Sequence, residues 1–286
     1  MTGGGADGRG RIGVMHVVDT LAAGGAERVA VNLANALPRD RFAAHLCTTR
    51  AEGPLARLLE GDVGRLRLGR TARWDAGAFV RFAAYVRRHN IDVVHAHDTS
   101  VFLAAMASAL PSGPAVVWHD HFGRVDTERR SAALYRPAAR RARAVVAVNA
   151  RLARWSRDVL GVAPDRVHEI PNFVRLARAA PGPGVPGTPG RRIVCVANFR
   201  SQKDHHTLLA AFRLVLDQVP DAHLLLAGAE VDAAYARTIR GHIAGPPLAS
   251  RVTVLGPVDD VAPLLAACDV GVLASASEGC PLALLE

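Results

Sequence analysis

The chain has 286 residues, of which 50% are hydrophobic and 21% are charged, and its formal net charge is +9. This ordinary globular composition predicts one large α/β domain or two smaller domains around a hydrophobic core. No apolar run approaches the roughly 18 residues of a membrane-spanning helix. The four scattered cysteines form no C-x-x-C pair, and three of them, Cys47, Cys195 and Cys268, are predicted to be buried thiols of a reducing compartment because they lie in or beside apolar runs. These features predict a cytoplasmic protein.

The positive charge lies in the first part of the chain. Residues 1–180 hold 27 basic and 16 acidic side chains, a net charge of +11, whereas residues 181–286 have a net charge of −2. A basic surface of this kind favours phosphates or the anionic inner leaflet of a membrane as a partner. Nucleic acid is not expected, because no recognition helix, zinc finger or aromatic RNA-binding platform accompanies the charge.

Short apolar runs alternate with amphipathic stretches along the chain, after a glycine-rich tail at residues 1–10 that is predicted to be disordered. Strands are predicted at 11–18, 42–49, 92–97, 114–119, 143–149, 192–198, 222–228, 251–256 and 269–274. Helices are predicted at 26–37, 75–89, 128–142, 205–219 and 259–267. Continuous Val/Ile/Leu runs separated by helices are typical of parallel strands that are buried on both faces.

A stretch rich in proline and glycine interrupts this alternation. Four prolines and four glycines between Ala180 and Arg191 cannot continue a helix or a central strand. The sequence therefore predicts two doubly wound Rossmann-like domains, at residues 11–175 and 192–286, joined by a linker at 176–191. Ligands of such sheets bind outside the carboxyl ends of the strands, so the site is expected in a cleft between the two domains.

A glycine turn follows the first predicted strand. Gly24 and Gly25 lie where the chain turns into a helix, and backbone N–H groups at such a turn can approach an anion or a sugar oxygen closely. The turn lacks the G-x-G-x-x-G spacing of a dinucleotide fingerprint, which disfavours a nicotinamide cofactor. A glycine pair before a helix is also a common turn without any ligand.

Two pairs of histidines mark the ends of neighbouring strands. His95 with His97, and His119 with His121, occupy alternate positions, so the side chains of each pair point to the same side. Each pair could bind a metal, donate to a substrate oxygen or shuttle a proton. No third ligand is evident from the sequence, and no metal is expected.

Charged residues stand at two loops of the second predicted domain. Arg200 and Lys203, the one lysine among 35 basic residues, follow the sixth predicted strand. Two cations there would stabilise a leaving diphosphate. Glu278 precedes Pro281, which suits the first turn of a helix, and Glu286 is expected about a turn and a half inside that helix. The two carboxylates could accept hydrogen bonds from sugar hydroxyls.

Four stretches together resemble the retaining glycosyltransferases of family 4, which have the GT-B fold of two Rossmann-like domains. They are "GGAERVAVNLANAL", "RAVVAVNARLARWSRDVLGVAPDRVHEIPNFV", "VANFRSQKDHHTLLAAFRLVLDQVPDAHLLLAG" and "SASEGCPLALLE". The most specific motif is a pair of glutamates separated by seven residues, met by Glu278 and Glu286. The "QKDH" loop and the turn at Pro171 and Asn172 support it, and the resemblance runs from about residue 11 to the last residue.

The resemblance implies a nucleotide-sugar donor held mainly by the second domain and an acceptor held mainly by the first. It implies that Lys203 contacts the donor diphosphate, Glu286 the ribose hydroxyls and Glu278 the transferred sugar. His119 would point at the reacting sugar. The family works without a bound metal or other cofactor. The resemblance further implies that the turn of Gly24 and Gly25 lies near the diphosphate and the acceptor. It also implies that a second segment binds the donor through its backbone N–H groups, namely Gly279, Cys280, Pro281 and Leu282.

The chain departs from the family pattern at three places. Ala197, Asn198 and Phe199 stand where the family often has Gly-Arg-Leu, and Arg200 follows two positions after the usual arginine. Cys280 replaces a large apolar residue of the sugar pocket. The chain stops at the second glutamate, so the second domain is expected to be incomplete and the chain as written unstable and weakly active.

The sequence therefore predicts a glycosyltransferase that moves a sugar from a nucleotide diphosphate sugar to an acceptor hydroxyl with retention. The acceptor is expected to be a glycan or a lipid-linked molecule in cell-surface glycan biosynthesis, reached at the inner face of the membrane. Two alternatives stay open, namely a non-catalytic remnant of such an enzyme and a GT-B epimerase of nucleotide sugars. The sugar, the nucleotide base and the oligomeric state are not specified by the sequence.

Overall fold

The computed structural model describes residues 10–72, 74–124, 128–174, 184–258 and 260–286, and these form two compact units. The first unit comprises the residues up to Phe122 together with Arg130–Asn172, and the second comprises Gly123–Arg129 with Phe173–Glu286. The tail at residues 1–10, which is predicted to be disordered, lies outside the described residues apart from Gly10. The first half of the expected linker does so too, and both stay predictions.

The first unit is built on a parallel sheet whose strands are buried. Its strands are β1 Ile12–Val18, β2 Phe42–Thr48, β3 Gly64–Arg67, β4 Ile91–His97, β5 Ala115–Asp120, β6 Ala144–Ala147 and β7 Val167–Glu169. They lie in the order β3-β2-β1-β4-β5-β6-β7. Six of the seven residues of β1 are buried, as expected for a strand covered on both faces. The order reverses between β1 and β4, which is where such sheets bind ligands.

Helices cross between these strands. They are α1 Gly25–Ala36, α2 Ala76–Arg88, α3 Val101–Ala107, α4 Ala132–Arg141 and α5 Ala150–Arg154. Side-chain caps fix the start of several of them, because Asp75, Ser131 and Asn149 each accept a backbone N–H of the first turn. The caps therefore set the residue at which each of these three helices begins.

The second unit repeats the pattern on a smaller scale. Its described strands are β8 Arg192–Val196, β9 His223–Ala227, β10 Val252–Gly256 and β11 Val270–Gly271, in the parallel order β10-β9-β8-β11. Its helices are α6 His205–Gln218, α7 Ala233–Ile243 and α8 Ala262–Ala266. Phe199, Phe212, Leu224 and Ile239 centre its hydrophobic core and are each at most 2% exposed. The prediction of parallel α/β units is therefore confirmed.

Some elements differ from the sequence-based expectation. All nine expected strands form, but the last shrinks from 269–274 to β11, whose two residues are exposed. The helix expected from Pro281 is wrong, because Pro281 is extended (ψ 119°) and only a single 3₁₀ turn, Leu282–Leu284, follows it. Pro281 is the N-cap residue, and its carbonyl oxygen accepts the Leu284 N–H at 3.3 Å in the i to i+3 pattern of a 3₁₀ turn. No helix among the described residues is long and apolar enough to cross a membrane.

Candidate functional site

Five histidines gather on one face of the central strands of the first sheet. His16 lies in β1, His95 and His97 in β4, His119 in β5, and His121 directly after β5. His16 is in register with His95, and His97 with His119. Because alternate residues share a face and adjacent strands lie about 4.8 Å apart, these imidazoles meet. We refer to the five as the histidine cluster.

The rings of the histidine cluster contact one another through their nitrogens. His16 Nδ1 lies 3.2 Å from His97 Nε2, and His97 Nδ1 lies 3.0 Å from His121 Nε2. A separate contact of 3.1 Å joins His95 Nε2 to His119 Nδ1. The ring centroids of His119 and His121 are 3.9 Å apart. A neutral imidazole has one donor and one acceptor nitrogen, so each contact constrains the tautomers of both partners.

Burial keeps the histidine cluster uncharged. Only 1% of His16, 2% of His97 and 5% of His119 is exposed. Burial lowers the pKa of His95 to about 4 and that of His121 to about 3. Burial, followed by repulsion from neighbouring imidazoles, lowers the pKa of the other three well below the usual range. At neutral pH the cluster therefore presents lone pairs rather than positive charge.

A third imidazole accompanies each of the two pairs that the sequence singles out. Ligand nitrogens of His16, His95 and His97 lie within 4.8 Å of one another, and so do those of His97, His119 and His121. The fold thus supplies a third imidazole that is not evident from the sequence, and the absence of a metal stays a prediction. His16 escapes notice in the sequence because it is a lone histidine in an apolar strand, and only the strand register reveals its neighbours.

A buried ion pair fixes the opposite face of β5. Asp120 alternates with His119 and His121, so its carboxylate points away from the histidine cluster. Arg130 donates to both oxygens of Asp120, at 2.8 and 2.7 Å, and no part of the Asp120 side chain is exposed. The Arg130 guanidinium lies 3.8 Å from the centre of the Trp155 ring. This bidentate, aromatic-stacked pair anchors the strand end that carries two of the histidines.

Asp98 connects the ends of β4 and β5. Its Oδ1 accepts a hydrogen bond of 2.9 Å from the backbone N–H of His121, and its carbonyl oxygen accepts the indole N–H of Trp118. Desolvation, and then the nearby Asp120 carboxylate, raise the pKa of Asp98 to about 7. Asp98 thereby holds His121 in place directly after β5.

The glycine turn stands at the start of α1. Gly24 is the extended N-cap residue and Gly25 is the first residue of the helix, close to the expected start. A Cβ at Gly24 would lie 2.2 Å from Glu27 Oε2, whereas Gly25 faces open space. Gly25 is exposed and Gly24 is half-buried, and the role of the two glycines near a diphosphate stays a prediction.

In the second unit, two loops meet beside the neighbouring strands β8 and β11. The backbone N–H of Ala276 donates to the Gln202 carbonyl oxygen at 2.9 Å, and Gln202 Nε2 donates to the Ser277 carbonyl oxygen at 2.6 Å. Lys203 Nζ donates to Glu278 Oε1, with side chains 13% and 21% exposed. The structure thus brings Lys203 and Glu278 into a direct ion pair, which the sequence does not predict.

The other expected donor residues surround this pair to different degrees. Arg200 is exposed at the start of the 3₁₀ turn Ser201–Lys203, and Glu286 is exposed beyond the turn that follows Pro281. Gly279, Cys280 and Pro281 are half-buried, and Leu282 is 8% exposed. Gln202, which ties the loops together, lies in the "QKDH" loop, but no role was assigned to it because it carries no charge.

Two parallel α/β units of this kind, with polar side chains at the carboxyl ends of the strands, are the architecture of the GT-B class, although many other α/β proteins contain such units. The model of Glycosyltransferase Family 4 matches residues 23–178, more than half of the chain. The model of Glycosyl transferases group 1 matches residues 190–286. The chain therefore belongs to glycosyltransferase family 4, and the resemblance seen in the sequence is confirmed.

Individual relatives agree with this assignment. The chain is 25% identical over 300 residues to UDP-Gal:alpha-D-GlcNAc-diphosphoundecaprenol alpha-1,3-galactosyltransferase of Escherichia coli, covering 96% of this chain and 76% of that protein. HepE of Anabaena, crystallised with UDP and glucose, superposes with a TM-score of 0.74 at 19% identity over 94% of this chain and 76% of that one. Sucrose-phosphate synthase of Thermosynechococcus elongatus gives 0.73 at 18% identity over 95% and 77%. The two structures establish the fold.

Proposed function

We propose that this glycosyltransferase moves a sugar from a uridine diphosphate sugar to a hydroxyl of a lipid-linked acceptor, with retention of anomeric configuration. The observation that carries the proposal is the pairing of Lys203 with Glu278 across two loops of a family 4 chain. One residue is a compact cation suited to a diphosphate, and the other is an acceptor suited to sugar hydroxyls.

We propose that Lys203 exchanges its partner when the donor binds. A diphosphate offers Lys203 more negative charge than the single Glu278 carboxylate does, so we expect the ammonium to move to the diphosphate. Glu278 is then released to accept hydrogen bonds from the transferred sugar. Gln202 keeps the two loops together during this exchange through its bonds to Ala276 and Ser277.

His119 is proposed to act at the reacting sugar through its Nε2 atom. Its Nδ1 lies 3.1 Å from His95 Nε2, which leaves Nε2 as the nitrogen available to a substrate. Because burial lowers its pKa, His119 is neutral at pH 7 and can exchange hydrogen bonds with the sugar without adding charge. Retention would place the entering acceptor on the same face of the sugar as the leaving diphosphate.

Two relatives support the donor and the acceptor class. HepE of Anabaena was crystallised with UDP, and the Escherichia coli relative carries UDP-Gal and a diphosphoundecaprenol acceptor in its name. The net charge of +11 on residues 1–180 suits an acceptor whose lipid carries a diphosphate, at an anionic membrane surface. We propose that the protein reaches such acceptors from the inner face of the membrane.

The test is turnover of UDP-sugars with lipid-diphosphate acceptors by the unaltered protein and by Lys203→Met. We expect the variant to lose about 100-fold or more in kcat, because a charged donor to the leaving group is removed. The control Arg213→Met removes an exposed cation of α6 and should leave kcat unchanged. Equal turnover by Lys203→Met would refute the role of Lys203.

Product analysis separates the remaining alternatives. A glycosylated acceptor with the anomeric configuration of the donor, read by NMR, supports retaining transfer. An isomerised donor that appears without acceptor would instead identify an epimerase. Binding of UDP without any turnover would identify a non-catalytic remnant.

A further inference from the structure

The histidine cluster contains more imidazoles than sugar transfer requires. A single histidine near the reacting sugar would serve the proposed chemistry, yet five imidazoles lie together, three of them at most 5% exposed. Keeping several polar rings out of water is costly unless their nitrogens have partners. Among the described residues, His16 Nε2 and His119 Nε2 are buried and have no hydrogen-bond partner.

We propose that His97, His119 and His121 bind one Zn²⁺ ion, and that the bound ion blocks sugar transfer by occupying His119. The second half of this statement rests on the proposed function, whereas the first half does not. The ligand atoms are His97 Nδ1, His121 Nε2 and His119 Nε2.

The spacing of the nitrogens fits a zinc ion. Two imidazole nitrogens bound to zinc at about 2.0–2.1 Å are about 3.3–3.4 Å apart in tetrahedral geometry. His97 Nδ1 and His121 Nε2 are 3.0 Å apart, and one nitrogen from each of the three residues lies within 4.8 Å of the others. The three rings are stacked with interplanar angles of 13° to 30°, so forming the site requires the rings to tilt until their lone pairs converge on the ion. Three histidines leave the fourth position of a tetrahedral zinc site for water.

The outer nitrogens of two of the three ligands already have neighbours. His97 Nε2 lies 3.2 Å from His16 Nδ1, and His119 Nδ1 lies 3.1 Å from His95 Nε2. Among the described residues, His121 Nδ1 is buried without a hydrogen-bond partner. Metal-binding histidines almost always have such a partner on the second nitrogen, because it fixes the tautomer and the ring orientation.

The protons of these rings are consistent with metal binding. Without the ion, the 3.0 Å contact of His97 Nδ1 with His121 Nε2 requires a proton between the two nitrogens. With the ion bound, each neutral imidazole would carry its one proton on the outer nitrogen, so the His121 proton would move to Nδ1 while His97 donates to His16 and His119 donates to His95. The lone pairs of His97 Nδ1, His121 Nε2 and His119 Nε2 are then all available to the ion, and no proton has to leave the cluster. Neutral nitrogen ligands favour zinc and similar transition metals over magnesium or calcium, which prefer oxygen.

The test measures zinc binding directly. Full-length protein, stripped of metal with a chelator, is titrated with Zn²⁺ against a chromophoric chelator, and Co²⁺ serves as a visible probe of tetrahedral coordination. We expect one Zn²⁺ per chain and a Co²⁺ absorption band in the visible. His121→Gln, at the half-buried edge of the cluster, should weaken zinc binding at least 100-fold. His16→Gln, which removes an outer partner, should weaken it by about 10–100-fold.

A matched control accounts for surface binding. His206 and His242 form an exposed pair with ring centroids 5.0 Å apart, and the double variant His206→Ala/His242→Ala should bind Zn²⁺ as the unaltered protein does. Circular dichroism confirms that each variant is folded. A chain that binds no Zn²⁺, or binds it equally well as folded His121→Gln, overturns the proposal.

The inhibition is read separately from the binding. Zn²⁺ at one equivalent should abolish sugar transfer, and a chelator should restore it, whereas His121→Gln should need at least 100-fold more Zn²⁺ for the same loss. Zinc that binds at one equivalent without slowing transfer overturns the inhibitory half of the proposal. Because binding is measured without turnover, a preparation that transfers no sugar even after chelation refutes the proposed function and leaves the binding result valid.

Discussion

The ion pair of Asp120 and Arg130 provides a quantitative test of how the first unit holds its strand end. Replacing Arg130 by Met would leave the Asp120 carboxylate, none of which is exposed, without its two hydrogen bonds of 2.8 and 2.7 Å. Removing one partner of a buried ion pair costs about 3–5 kcal/mol. Phe122 N–H still donates to Asp120 at 3.2 Å, so the lower part of that range is expected.

Tryptophan fluorescence during urea unfolding is a suitable assay. All three tryptophans belong to the first unit, and Trp155 lies directly against the Arg130 guanidinium. With a slope of about 2 kcal/mol per molar urea, a loss of about 3 kcal/mol moves the midpoint by about 1.5 M. The control Arg67→Met breaks the exposed pair of Arg67 with Glu52 and should cost less than about 1 kcal/mol.

A double-mutant cycle separates the pair from its surroundings. Asp120→Asn combined with Arg130→Met removes both charges, so its cost should fall short of the sum of the two single costs by about 1–3 kcal/mol. Additive costs in the cycle would refute the reasoning. So would an Arg130→Met midpoint that shifts by no more than about 0.3 M, a change as small as that expected of the Arg67→Met control.

Two further predictions concern the second unit. Burial lowers the pKa of His205 to about 4, whereas the pKa of this histidine in the unfolded state is near 6.5. As the pH falls, the unfolded state therefore takes up the proton first, and lowering the pH from 7.5 to 5.0 should reduce the free energy of unfolding by about 2 kcal/mol. Hydrogen-exchange protection of α6 should lose this pH dependence in His205→Phe and keep it in the exposed control His206→Gln. Gly228→Ala would set a Cβ 2.1 Å from the Ala197 carbonyl oxygen and should lower the free energy of unfolding in urea by about 1–3 kcal/mol. Gly241→Ala, in α7, would set a Cβ that meets no atom within 4 Å and should raise the free energy of unfolding by about 0.5–1 kcal/mol. A destabilised Gly241→Ala or an unchanged Gly228→Ala would contradict this reading.

Much of the fold follows from local sequence because buried parallel strands are written as continuous apolar runs. "RIGVMHVV" at 11–18 needs no partner to be recognised as such a strand. β3 was missed because its four residues alternate between half-buried positions and exposed arginines. The helix expected from Pro281 begins one residue later and as a single 3₁₀ turn, because proline fixes φ but not ψ and Pro281 is an extended N-cap residue.

The candidate site was only partly accessible from sequence. Histidines at alternate positions of a strand end indicate a shared face, and this pattern identifies the two pairs His95 with His97 and His119 with His121. The neighbours of His16 depend on the register between β1 and β4, and no local pattern encodes that register. Arg130 likewise finds Asp120 through the chain path after β5, ten residues on, rather than through a motif.

The single lysine of the chain makes the proposed donor site chemically addressable. Lys203 carries the one side-chain amine among 286 residues, so an amine-selective reagent can modify only this position and the chain's terminal amine. Its ion pair with Glu278 and its 13% exposure should make acylation of Lys203 slow, and a nucleotide diphosphate that contacts the ammonium should slow it further. Mass spectrometry of one labelled peptide would then measure ligand occupancy, without a radioactive donor or an identified acceptor.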